Sequence, residues 1–65
     1  MSKPKRTFYI AFEPNSDCGM YKLYVSYKLY KQRFCYSEED SLYSLIEKTY
    51  RHFDNLDLTF KFIDF

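Results

Sequence analysis

Tyr21-Lys22-Leu23-Tyr24-Val25-Ser26-Tyr27-Lys28-Leu29-Tyr30 contains the tetrad YKLY twice, six residues apart. Whether this run is strand or helix decides the fold. In a strand the even spacing puts both tetrads in phase. Tyr21, Leu23, Val25, Tyr27 and Leu29 then share one face, and Lys22, Tyr24, Ser26, Lys28 and Tyr30 the other. Met20, Leu23, Tyr24, Tyr27 and Phe34 also fit a helical stripe. Tyr and Val favour pleated surfaces and no cap residue precedes the run, so a strand is expected. The alternation fails at Lys31-Gln32-Arg33, beyond which Phe34 and Tyr36 carry the apolar side on even numbers. A one-residue slip turns every side chain over, so a turn or bulge near 31–32 and a short third strand over about 33–36 are expected.

Upstream, Phe8, Ile10 and Phe12 alternate with Thr7, Tyr9, Ala11 and Glu13, the pattern of a half-buried strand. A loop rich in turn residues, 14–19, follows and contains the only glycine. Residues 1–5, MSKPK, read as a disordered basic tail. Downstream, Ser37-Glu38-Glu39-Asp40 resembles a helix start, with Ser37 as cap and acidic residues in the first turn. Leu42, Leu45, Ile46, Thr49 and Phe53 form its apolar stripe, and Arg51 and His52 suit its C-terminal dipole. Asp54-Asn55 ends the helix. Leu56, Leu58, Phe60 and Phe62 then alternate with Asp57, Thr59, Lys61 and Ile63 in a last strand.

These elements place the chain in the α+β class. The expected architecture is a small antiparallel sheet of three or four strands with one helix on one face, order β-β-(β)-α-β, in a single domain over 6–65. The helix should cover Phe8, Ile10, Phe12, Leu23, Val25, Tyr27, Leu58, Phe60 and Phe62. One helix covers one face, so the other face should be open.

A 65-residue chain buries only about 60% of the surface its unfolded form exposes, so it needs bulk or a staple. Seven Phe and eight Tyr supply the bulk. No apolar run of signal-peptide or membrane-spanning length is present, so a cytoplasmic protein with Cys18 and Cys35 reduced is expected. The net charge of +1 conceals an asymmetry. Residues 1–36 carry seven Lys/Arg against Glu13 and Asp17, while residues 37–65 carry seven Asp/Glu against Lys48, Arg51 and Lys61. The basic half suits an anionic partner, or forms an ordinary solvated face.

Catalytic patterns are wanting. His52 stands alone at a helix end, neither cysteine has a base nearby in sequence, and Cys18, Cys35 and His52 lack metal-ligand spacing. One glycine cannot build a phosphate-cradling loop. A protein without catalytic activity, cofactor or metal is therefore expected.

Binding is the alternative. The open face should present Tyr9, Tyr24 and Tyr30 with Lys22, Lys28 and Lys61. Tyrosine brings contact area to protein interfaces at low entropy cost. The same mixture can stack bases and meet phosphates of single-stranded nucleic acid, although the glycine-flanked RNA-recognition signature is absent. It can equally be a solvated sheet face whose lysines guard against aggregation. Tyr43 and Tyr50, seven apart on the helix, flank the core or form a second contact. Phe65 packs on the sheet or anchors a partner. In size and composition, rather than by motif, the chain resembles the accessory proteins of phages and mobile elements, which commonly occlude a site on a larger host machine. That resemblance implies a stoichiometric inhibitor or adaptor, such as an anti-defence protein. A single-stranded nucleic-acid binder and a small dimeric antitoxin or regulator are the alternatives.

Overall fold

The computed structural model describes residues 3–15, 17 and 19–63. Its elements are β1 (Lys5–Phe12), β2 (Tyr21–Tyr24), α1 (Tyr27–Lys31), β3 (Ser37–Glu39), α2 (Leu42–His52) and β4 (Asp57–Ile63). The α+β class holds, with four strands in the order β3-β2-β1-β4. The sheet is mixed rather than wholly antiparallel: β2 runs antiparallel to β1 and β3, and β4 runs parallel to β1. β3 and β4 lie at opposite edges, so the connection between them must cross the sheet, and α2 makes that crossing.

The two YKLY tetrads part company. Tyr21–Tyr24 is β2, registered between β1 and β3. Tyr27–Lys31 is a helix, which corrects the expected strand over 21–30. The missing cap lies inside the run. Ser26 is extended (φ −147°, ψ 161°), its Oγ accepts from Leu29 N–H at 3.2 Å, and its carbonyl accepts from Tyr30 N–H at 3.0 Å. At the other end Arg33 has φ 60°, Phe34 N–H donates to the Leu29 carbonyl, and Arg33 N–H donates to the Tyr30 carbonyl. That pair of bonds is a Schellman closure with arginine in the seat glycine usually takes. The change of parity at 31–33 is therefore a helix ending, and 33–36 is not a strand.

The third strand lies instead at Ser37–Glu39, where a helix start was expected. Leu23 pairs with Ser37, Lys22 with Glu38 and Tyr21 with Glu39. The carboxylates earn this place through cations: Glu38 lies 3.9 Å from Lys22, and Glu39 lies 3.6 Å from Lys48. Gly19 is buried against the same strand, where a Cβ would come within 3.0 Å of Glu39 N. The true cap of α2 is Ser41, four residues later, whose Oγ accepts from Ser44 N–H.

β1 begins at Lys5, and the Pro4 carbonyl accepts from Asp57 N–H at 2.8 Å, so the end of the expected tail is tied to β4. Met1 and Ser2 lie outside the described residues. The α2 stripe packs as its spacing requires. Leu45 and Thr49 are buried, and Leu42, Ile46 and Phe53 pack against the cluster of Phe8, Ile10, Leu23, Leu45 and Leu58. Thr49 Oγ1 donates to the Leu45 carbonyl at 2.7 Å, which satisfies this buried hydroxyl. Rings run across this face in succession, Tyr36–Phe53–Phe8–Phe60–Tyr50, at centroid separations of 5.6, 5.1, 6.3 and 5.7 Å. The expected core contracts at its margins. Phe12 is half-buried against Tyr21, Phe62 is half exposed on the edge strand, and Tyr27 leaves the sheet for α1. Among the described residues no helix is long and apolar enough to cross a membrane.

Candidate interaction surface

The sheet face opposite α2 is built from rows that the register fixes. Lys61, Tyr9 and Tyr24 stand side by side on β4, β1 and β2; Ile63, Ala11, Lys22 and Glu38 form the next row. This face was expected to be open. Instead α1 folds back over it. Tyr30 meets Tyr24 edge-on at 5.3 Å, Tyr27 meets Tyr9 at 6.1 Å, and Tyr27 and Tyr30 lie 5.6 Å apart.

The consequence for Tyr24 is a correction: it is 2% exposed, a core residue of the second face rather than a contact surface. Its hydroxyl donates to Glu13 Oε2 at 3.2 Å. Burial, reinforced by the Glu13 carboxylate, pushes that hydroxyl up to about 12. Lys22 is also withdrawn, half-buried between Glu13 (3.7 Å) and Glu38 (3.9 Å). Tyr9 and Tyr30 are half-buried within the tyrosine group. Lys28 and Lys61 remain exposed, Lys28 on α1 and Lys61 on β4. The six sequence candidates thus separate into a structural set (Tyr24, Lys22), a partly covered set (Tyr9, Tyr30) and two exposed cations.

What alternation could not find is the surface that α1 makes. Helical geometry and the turn after it bring Tyr27, Lys28, Lys31, Arg33 and Phe34 to the exterior. Tyr27 is 47% and Phe34 64% exposed. Lys31 Nζ lies 5.3 Å from the centre of the Tyr27 ring, a cation–π contact. Lys28, Lys31 and Arg33 have no ion pair with any described residue. Beside them a groove of about 360 Å³ is lined by Ala11, Phe12, Glu13, Tyr30, Lys31 and Arg33. The signals in the sequence were Ser26 as an internal cap and the three cations clustered over 28–33.

Cys35 is half-buried, and its Sγ donates to the Ser37 carbonyl at 3.0 Å. Burial, with the Glu38 carboxylate adding to it, pushes this thiol up, so the thiol form dominates at neutral pH. Cys18 and Phe65 lie outside the described residues. Among the described residues no three His, Cys, Asp or Glu side chains cluster as metal ligands would. Comparison of the chain with protein-family models, with curated proteins and with solved structures finds no match.

Proposed function

We propose that the chain is a non-enzymatic protein-binding module, a stoichiometric inhibitor or adaptor that engages an acidic surface of a larger protein through α1 and the turn after it. The observation that carries this reading is the patch of Tyr27, Lys28, Lys31, Arg33 and Phe34: exposed rings beside cations that are unpaired within the described residues. Aromatic rings give such a surface its affinity, and rim cations give it steering and partner choice. The same cations also favour a second reading, single-stranded nucleic acid. Against it, the sheet tyrosines that would serve as stacking platforms are capped by Tyr27 and Tyr30.

The test is capture of a partner by the tagged chain from lysate of its own source, wild type against Lys28→Glu/Lys31→Glu. Both positions are exposed, but Lys31→Glu gives up the contact with the Tyr27 ring, so far-UV circular dichroism and a urea midpoint establish that the variant is folded. Wild type should recover one dominant protein, and the variant should recover about tenfold less. Equal recovery by both rejects the surface. Tight binding of a fluorescent oligonucleotide that weakens steeply with salt would replace the protein reading with the nucleic-acid one.

A further inference from the structure

We propose that β4 is a self-association edge, where a second chain adds its own β4 antiparallel in a register centred on Thr59. This edge lies on the side of the molecule away from β3 and is separate from the α1 patch.

The first ground is the backbone. β4 is the terminal strand of the sheet, seven residues long, and no described residue pairs with its outer side. Asp57 N–H donates to the Pro4 carbonyl, so Asp57 faces β1. Strand residues alternate sides, so Thr59, Lys61 and Ile63 also face β1. Leu58, Phe60 and Phe62 therefore aim their N–H and C=O groups outward. An exposed row of this kind is a template for strand addition.

The second ground is charge, and it selects both occupant and register. Asp57, Thr59 and Lys61 are exposed on one face of the strand, and neither charge has an ion pair with a described residue. The spacing Asp-x-Thr-x-Lys is complementary to itself when reversed. Antiparallel pairing about Thr59 puts Asp57 of each chain opposite Lys61 of the other and Thr59 opposite Thr59. In the same register Leu58 and Phe60 of one chain exchange backbone hydrogen bonds with Phe60 and Leu58 of the other, which are the outward-facing residues. A dyad at Phe60 would place Asp57 opposite Ile63, and a dyad at Lys61 would set the two lysines against each other. Like charges directly opposite are destabilising.

The third ground is apolar surface on the α2 side of the same edge. Phe62 is 51% and Tyr50 49% exposed, and Tyr50 packs edge-on against Phe60. Pairing about Thr59 brings Phe62 of each chain alongside Leu56 of the other. The product is an isologous dimer with one continuous eight-stranded sheet and both α2 helices on one side.

Sedimentation equilibrium of the whole chain tests this with Asp57→Lys and Lys61→Asp, each at an exposed position. Wild type should show a concentration-dependent monomer–dimer equilibrium. Each single reversal sets two like-charge pairs across the dyad and should weaken self-association about tenfold. An equimolar mixture of the two single variants restores both opposite-charge pairs and should form the heterodimer. A wild type that stays monomeric at the highest attainable concentration overturns the proposal. So does self-association that both reversals leave unchanged, or a mixture no more associated than its separate components.

Discussion

The first YKLY is a central strand and the second is a surface helix, although the four residues are the same and both tetrads adjoin Val25-Ser26. In β2, Leu23 is fully buried beneath α2 while Tyr24 is buried on the opposite side beneath α1. In α1 no residue is fully buried. The tetrad therefore has little conformational preference of its own. The first copy is a strand because β1 and β3 flank it and supply backbone partners. The second pairs its backbone with no described strand and is closed at both ends by local bonds, from Ser26 at the start and around Arg33 at the finish. Each copy also completes the other, since the rings of the helix cover the strand tyrosine.

The largest contrast should appear between the equivalent leucines. Leu23→Ala opens a cavity in the core and should cost about 3–5 kcal/mol, a large share of the stability of a domain this size. Leu29→Ala, at the same place in the other tetrad, should cost less than about 1 kcal/mol. Urea unfolding measures both, and Leu23→Val provides a milder version if the alanine variant does not fold. Equal losses at the two sites would remove the distinction between core strand and surface helix.

A second contrast lies in the tyrosines and depends on pH. The folded-state pKa of Tyr24 is raised to about 12 from the ordinary 10.0. Between those values an unfolded chain has lost the phenolic proton while the folded chain keeps it, so stability falls as pH rises. The neutral hydroxyl's contribution is complete below pH 10 and is lost through pH 12. Tyr24→Phe should remove this part of the alkaline loss, leaving what the other tyrosines contribute. Urea midpoints for both proteins at pH 8 and near pH 12 check it, and parallel pH dependences would contradict it.

The smallest effects concern the ends of α1. Ser26→Ala deletes the cap and should cost about 1 kcal/mol, with faster amide exchange at Leu29. Arg33→Gly relieves a side chain held at φ 60° and should stabilise by up to about 1 kcal/mol. A destabilising Arg33→Gly would mean that the arginine makes contacts worth more than its backbone strain.

The parts of the fold that could be read from the sequence are those whose period is long enough to be unambiguous. Phe8-Ile10-Phe12 marks β1, Leu56 through Phe62 marks β4, and Leu42-Leu45-Ile46-Thr49-Phe53 marks α2. A five-residue helix spans little more than one turn, which is too short to outweigh an alternation that also fits. Its cap is hidden inside the repeat, and its closing residue is Arg33 where a glycine would have advertised the end. β3 was concealed for the opposite reason. Ser-Glu-Glu-Asp is a strong local signature of a helix start, and it is overridden by backbone pairing with β2, where Lys22 and Lys48 meet the two carboxylates. The candidate surface followed the fold. Lys28 and Lys61 are exposed as expected, while Tyr24 is lost to the interior because the segment that covers it alternates like a continuation of its own strand.

The most direct test is the pattern of Cα secondary chemical shifts across residues 21–31 by NMR. Strand-type shifts are expected at Tyr21–Tyr24, a sign change after Ser26, helix-type shifts at Tyr27–Lys31, and contacts between the Tyr24 and Tyr30 rings. Unbroken strand-type shifts from Tyr21 to Tyr30, with no contact between those rings, would contradict this assignment.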